Sequence, residues 1–408
     1  MMNIAILGCN TPVGLELAER VPLASLYIDQ PLEIRYSQIS VLYIAFDDSV
    51  TFEQYKQFIY KQNIATVYFV YSVHQLIQAI DLIDYIKTEF DDYYMIELPE
   101  ILYGLGVPMS FPNASTLEYS IYNIADLAYA LLEIEPCKTI RVGSEPISYH
   151  ELISAEPTSE GKERARSSFK RYTKLAESII KIPTSLAITD ASWIKELNTI
   201  AIRICQKYGI NKFEIDITKY MDWFIMTPKR IKDLQQGQII ALGKPFASRL
   251  ENIFTHRSEF ITHMLKAIQY AHLMGVKYII FNTPMNRYLP ISMSIHTAHK
   301  TFIETMETIG KFAETYQVTL CIEAITRQNG CNYITDNGVL EEIINVINSP
   351  YIKAVYKQGT GRIENPDLVG YHYTYTIPTT PSDQQFTLVT KTVASNAFTL
   401  AENLKDLF

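Results

Sequence analysis

The sequence predicts an α/β protein in two parts: a small doubly wound domain over residues 1 to 150, then a compact (β/α)₈ barrel over 181 to 408. Three observations carry this expectation. Short β-rich runs alternate with stretches of helical apolar spacing along most of the chain; the alternation is interrupted once, between 151 and 180; and eight β/α units follow the interruption. At 408 residues the chain is long for one core, which favours two domains.

In the first part the strand candidates are NIAILG (3 to 8), ISVLYIAF (39 to 46), TVYFVY (66 to 71), YYMIEL (93 to 98) and KTIRV (138 to 142). Between them, TFEQYKQFIYKQ and HQLIQAIDLIDYIK place apolar residues at helical spacing, so a mostly parallel sheet with helices on its faces is expected. Residues 151 to 180 turn polar and charged, as in SAEPTSEGKERARSSFKRYTK, and read as a linker whose second half is helical. Beyond it, strands are expected near 185 to 190, 212 to 217, 238 to 242, 277 to 281, 318 to 323, 352 to 356, 371 to 375 and 386 to 390. Helices are clearest at 192 to 207, 257 to 274, 296 to 316 and 393 to 406. Eight such units in about 230 residues suit a barrel. Periodicity alone leaves a second doubly wound sheet open.

Composition narrows the function classes. A formal net charge of -8 without a dense Lys/Arg block argues against a nucleic-acid partner, which needs a basic stripe to neutralise phosphates. The five cysteines are scattered and never spaced as CxxC, so they read as reduced thiols, with Cys205 and Cys321 in apolar runs. The opening MMNIAILGCN has no basic stretch ahead of its apolar run and makes a poor signal peptide. No run approaches the roughly 18 apolar residues of a membrane span. A cytoplasmic protein with no membrane partner is expected; oligomeric state is not legible.

Several phrases add a resemblance. KYGINKFEIDITKY, GKPFASRLENIFTHRSEF, AHLMGVKYIIFNTPMNR and LCIEAITRQNGCNYIT resemble, in that order, successive βα units of the sugar phosphate isomerase/epimerase (xylose isomerase-like) family. The resemblance covers more than half the chain and implies a TIM barrel with its chemistry at the C-terminal ends of the strands. It also implies one divalent metal held by a Glu, an Asp, a His and a second Glu, which would polarise a sugar carbonyl while carboxylates move a proton between neighbouring carbons.

This chain keeps only part of that set. Glu323 closes the strand VTLCIE and matches the first metal-binding glutamate; a solvent-facing strand-end Glu is the alternative. The strand IKAVYKQG has Lys357 at the family's aspartate position, with Gly359 retained. His372 in GYHYTY is the best match for the histidine, and a buried, hydrogen-bonded histidine is the alternative. Thr390 stands where the second glutamate falls. An ammonium near a divalent cation is strongly repelled, so no ordinary metal is expected; Lys357 would pair with Glu323 instead. Glu214 in KFEID, with Asn282, Asn286 and Arg287 in FNTPMNR, are further mouth candidates, Arg287 as a clamp for phosphate or carboxylate. A hydrogen-bonded strand-end carboxylate and a solvated loop arginine are their alternatives. His256 and His263 read as surface or helix-packing residues.

At the N-terminus, ILGCNTPVG resembles the Gly-rich turn of extended short-chain dehydrogenases, the nucleotide-sugar epimerases and dehydratases, and implies a truncated Rossmann-like domain. Gly8 and Gly14 match the first and last glycines, Thr11 replaces the middle one, and Asp29 stands where an acid would hold a ribose hydroxyl. LPEILYGLG, IADLAYALLE and TIRVGSEPISYHELI resemble later parts of that family. Its catalytic Tyr-x-x-x-Lys is reduced to Tyr71 and Gln75, and Leu98 stands where a basic residue often binds phosphate. Weak or absent NAD binding is expected.

Three functions stay open at this stage. One is a sugar phosphate isomerase or epimerase of carbohydrate metabolism with a degenerate metal site, acting on a small sugar or sugar phosphate through Glu323, Glu214 and His372. The second is a binding or scaffold protein built from two enzyme folds that lost their chemistry. The third is an enzyme in which Lys357 forms a Schiff base with a carbonyl substrate.

Overall fold

The structure is a computed structural model that describes residues 3–31, 39–99, 101–105, 107, 118–153, 159–180, 186–194, 197–220, 238–246, 248, 250–357, 362–374, 385–389 and 393–405. Within these, residues 25, 118, 119, 149, 180, 198, 199, 219, 220, 357, 372–374 and 385–389 are described by their backbone alone. The chain divides into two units. One comprises Met1–Ile182, Arg203–Gly209 and Ala394–Phe408; the other comprises Pro183–Ile202 and Ile210–Val393.

The first unit begins β1 (Asn3–Leu7), α1 (Pro12–Arg20), β2 (Ala24–Ile28), β3 (Ile39–Ala45), α2 (Phe52–Tyr60), β4 (Thr66–Ser72), α3 (Leu76–Glu89) and β5 (Asp92–Leu98). Thr11 caps α1 ahead of a proline at its first position, and Thr51 with Gln54 forms a capping box on α2. Two short pairs follow, β6 (Ile101–Tyr103) with β8 (Ile121–Asn123), and β7 (Glu118–Tyr119) with β10 (Ile147–Ser148). Between them come α4 (Leu127–Glu133) and β9 (Lys138–Arg141), and after them α5 (Tyr149–Ile153) and α6 (Glu160–Ile180).

The six-stranded sheet is parallel throughout, in the order β2-β1-β3-β4-β5-β9. Strand order therefore reverses between β1 and β3, as at the switch point of a doubly wound sheet. Residues at alternate positions of β3 and β4, such as Leu42, Ile44, Val67 and Phe69, pack with Tyr55 and Phe58 of α2 and Leu82 and Ile86 of α3.

The stretch expected as a linker is built into this unit. Ala165, Phe169 and Tyr172 form a stripe one turn apart on α6 and pack on Tyr103, Ile121, Ile147 and Leu152. Their apolar spacing is diluted in sequence by the charges on the helix's other faces.

The second unit is a closed barrel of eight parallel strands: β11 (Leu186–Thr189), β12 (Lys212–Asp216), β13 (Gln238–Gly243), β14 (Tyr278–Phe281), β15 (Thr319–Glu323), β16 (Ile352–Lys357), β17 (Val369–Thr374) and β18 (Gln385–Val389). The connecting helices are α7 (Asn198–Lys207), α8 (Ile217–Tyr220), α9 (Arg257–Leu273), α10 (Ile295–Tyr316) and α11 (Asn337–Ile347), with α12 (Ala397–Lys405) last. The final residues of α7 and all of α12 group with the first unit, where α12 packs on α1.

Among the described residues no strand is shared between sheet and barrel. Ala187, Ala241, Ile280, Cys321, Val355 and Tyr371 fill the lumen, so it is a packed core. Outside, α10 buries Ala298, Phe302, Met306, Ile309 and Ala313 along one stripe, each large side chain contributing roughly 1.5–3 kcal/mol. Among the described residues no helix is long and apolar enough to cross a membrane.

Candidate functional site

Polar side chains gather where β11 to β15 end. Glu214 and Asp216 leave β12 at alternate positions, and both are buried. Asp190, immediately after β11, is also buried and accepts the Asp216 backbone N–H at 2.9 Å. Asp216 in turn accepts from the Thr218 hydroxyl at 2.6 Å and backbone at 3.0 Å, starting α8, and its second oxygen meets Lys244 Nζ at 3.0 Å. Lys244 holds a left-handed backbone, φ 47°, and donates its N–H to Asn282 Oδ1 at 2.8 Å. An aspartate-to-lysine link thus ties the ends of β12, β13 and β14.

Within that frame, Glu214 and Asn282 meet over Gly243. A β-carbon added to Gly243 would stand 3.6 Å from both Glu214 Oε1 and Asn282 Nδ2. Glycine therefore puts no side chain of its own between the carboxylate and the amide. Tyr371 lies in the lumen core nearby; burial and the charge of Glu214 push its phenol well above the ordinary range, so it stays protonated.

Glu323 ends β15 half-buried, paired in register with Val355. Its backbone carbonyl accepts from Arg287 Nη2. Lys357 ends β16 two residues beyond Val355, opposite Tyr373. The side chains of Lys357 and His372, together with Gly359 and Thr390, lie outside the described residues.

Asn286 and Arg287 are placed differently from the substrate contacts expected of them. Asn286 Nδ2 is spent on the carbonyls of Ser248 and Glu251, at 2.8 Å each. Arg287 is fully enclosed over the Phe281 ring, 5.2 Å from its centroid, and burial pulls its guanidinium pKa down. Both are thus tied to the backbone around the loop after β14. His263, on α9, stacks on Phe246 and stands 3.8 Å from Glu251, while His256 precedes that helix.

Among the described residues no three His, Cys, Asp or Glu side chains converge as metal ligands, and Asp190 and Asp216 are committed to backbone and Lys244.

In the first unit the glycines are required by close approach. A β-carbon on Gly8, φ 89°, would fall 2.3 Å from the Ala45 carbonyl oxygen, and one on Gly14 would fall 1.9 Å from that of Gly8. Thr11 fills the turn between them: its hydroxyl donates to the Gly8 carbonyl at 2.7 Å and accepts from Gly14 N–H at 3.0 Å. Asp29 is gripped by both terminal nitrogens of Arg203. Tyr71 donates to Glu97 at 3.3 Å, and Gln75 is used by Ser72 and Phe46. Thr11, Tyr71, Ser72 and Gln75 edge a cavity of about 250 Å³ that Asp47 and Asp48 also line, with no Lys or Arg among its described lining residues.

Residues 202–359 match a family model described as a xylose isomerase-like TIM barrel. The C-terminal half thus has the fold of a xylose isomerase-like TIM barrel. No curated protein matches the chain. Among solved structures, D-psicose 3-epimerase from Clostridium cellulolyticum H10 is similar at 13% identity, over 54% of this chain and 89% of that one, with a TM-score of 0.41. For 3-keto-D-glucoside 4-epimerase from E. coli the values are 12%, 55%, 98% and 0.41. For an AP endonuclease of family 2 from Brucella melitensis they are 12%, 46%, 78% and 0.37. The family match to the xylose isomerase-like barrel does not reach residues 1 to 150, whose expected resemblance to extended short-chain dehydrogenases gains no support.

Sequence reasoning named Glu214, Asn282 and Glu323 at this mouth but missed Asp190, Asp216, Lys244 and Tyr371. Asp216 was readable, since strand alternation puts it on the same face as Glu214. Tyr371 sits one residue before the histidine that the resemblance singled out.

Proposed function

We propose that the barrel is an isomerase- or epimerase-like protein that recognises a small sugar or sugar phosphate without a resident divalent metal. The observation that carries this reading is the convergence of Glu214 and Asn282 over the bare face of Gly243, which offers paired acceptor and donor groups to adjacent sugar hydroxyls. In this reading the Glu214 carboxylate accepts a proton from the carbon next to a substrate carbonyl and returns it. Tyr371, kept protonated, donates a hydrogen bond towards developing negative charge. The same reading keeps the expectation that Lys357, which replaces an acidic ligand of the family pattern, is the counter-ion to Glu323.

A second reading is supported by Lys357 and Thr390, which replace two acidic ligands of the family pattern: the mouth binds a sugar but turns nothing over. One experiment tests both. Sugars and sugar phosphates are titrated calorimetrically, and any that bind are incubated with the protein in deuterated water. Binding that weakens at least tenfold in Glu214→Gln supports the site, and deuterium uptake at carbon separates the enzyme from the binding protein. If no sugar or sugar phosphate binds, or Glu214→Gln binds as wild type does, the site is wrongly assigned.

A further inference from the structure

The first unit contains a second cavity, of about 270 Å³, that plays no part in the barrel site. Its floor is a buried ion network. Lys207 Nζ stands 2.5 Å from Glu16 Oε2 and 2.9 Å from Glu19 Oε1, and Arg20 closes on Glu16 at 2.7 Å. The side chains of Lys207 and Glu16 are only 5% and 1% exposed. Two carboxylates and two cations balance one another there. Such a network is a weak stabiliser compared with packed aliphatic side chains, because desolvation offsets most of its attraction. Its place in a cavity wall suits a built polar site better than a core.

Above this floor, two opposite charges fail to meet. Asp126, just before α4, and Arg171, on α6, line the same cavity, yet neither forms an ion pair with any described residue. Among the described residues the Asp126 carboxylate accepts only from the Ser168 hydroxyl, at 3.1 Å. Opposite charges in so small a space would gain by closing on each other. Held on separate helices, each is left for a ligand to neutralise. Tyr129, Tyr172 and Tyr208 line the same cavity, and Tyr172 makes an edge contact with Tyr103, 5.5 Å between centroids.

We propose that this cavity binds a small zwitterion of the α-amino-acid type with an apolar side chain. Its carboxylate lies on the Arg171 guanidinium, its ammonium on the Asp126 carboxylate, and its side chain among the tyrosine rings. A ligand carrying both charges restores the balance that the protein leaves open, and a simple anion or cation restores half of it.

The test uses the full chain and isothermal titration with L-leucine, L-methionine, L-phenylalanine, L-tyrosine and L-tryptophan. The two single-charge analogues 3-phenylpropionate and phenethylamine serve as comparisons. At least one amino acid is expected to bind saturably, with both analogues at least tenfold weaker than phenylalanine-class ligands. Arg171→Gln, at an exposed helix position, should weaken amino-acid binding at least tenfold while leaving phenethylamine unchanged, and Asp126→Asn should do the converse with phenylpropionate. Circular dichroism melts of both variants confirm the fold. No saturable binding by any of the five, equal binding by an analogue, or undiminished binding in Arg171→Gln overturns the proposal.

Discussion

Arg287 reaches from a fully enclosed position to donate its Nη2 to the backbone carbonyl of Glu323. Its Nε and Nη1 find no hydrogen-bond partner among the described residues. The guanidinium therefore acts as a brace for the end of β15.

Removing that brace should be costly. Arg287→Ala leaves a void beneath Phe281 and an unsatisfied carbonyl, and is expected to destabilise the protein by about 3 kcal/mol in urea unfolding. A change below about 0.5 kcal/mol would mean that Arg287 is not structural.

Gly243→Ala separates site from fold. The added methyl makes ordinary contacts of 3.6 Å and needs no unusual backbone, so stability should move by less than about 1 kcal/mol. The space between Glu214 and Asn282 is filled, and sugar affinity is expected to fall at least tenfold by titration calorimetry. Full affinity in this variant would place the ligand elsewhere.

A pH effect follows from His263. Burial lowers its pKa below the ordinary 6.5, with Glu251 opposing and Lys266 assisting. The unfolded chain thus takes up a proton at a pH where the native ring stays neutral. Both forms are neutral above about pH 6.5, and native stability falls as pH drops below it towards the depressed native pKa. His263→Phe should flatten that part of the stability curve in urea melts. An unchanged slope would remove His263 as its source.

Dinucleotide binding in the first unit is expected to be weak or absent. Thr11 occupies the turn, Asp29 is held by Arg203, and the cavity of about 250 Å³ has acids but no described cation on its walls. Calorimetry with NAD(H) should show no tight binding, and a submicromolar Kd would contradict this.

Much of the architecture was readable because it is local. Runs such as KFEID and TLCIE carry their strand character within five residues, and counting eight of them led to the barrel. Glu214 and Glu323 were readable for the same reason, as acids at strand ends. What sequence could not supply is long-range partnership. Asp29 looks like a ribose ligand until Arg203 arrives from 174 residues away, and Arg287 looks like a loop arginine until the chain closes over it. The helix α6 was hidden because three apolar residues on one stripe are outnumbered by its charges.

The proposal that the barrel mouth takes no divalent ion rests on Lys357 and Thr390 standing in the sequence where the family resemblance expects acidic ligands. Thermal melts with manganese, magnesium or zinc test it directly, because a ligand raises Tm only by binding the native state more tightly than the unfolded one. The account predicts no metal-dependent rise for the wild-type protein and a clear rise for Lys357→Asp combined with Thr390→Glu. A gain of several degrees in the wild type, lost in Glu323→Ala, would contradict it and establish a metal site there.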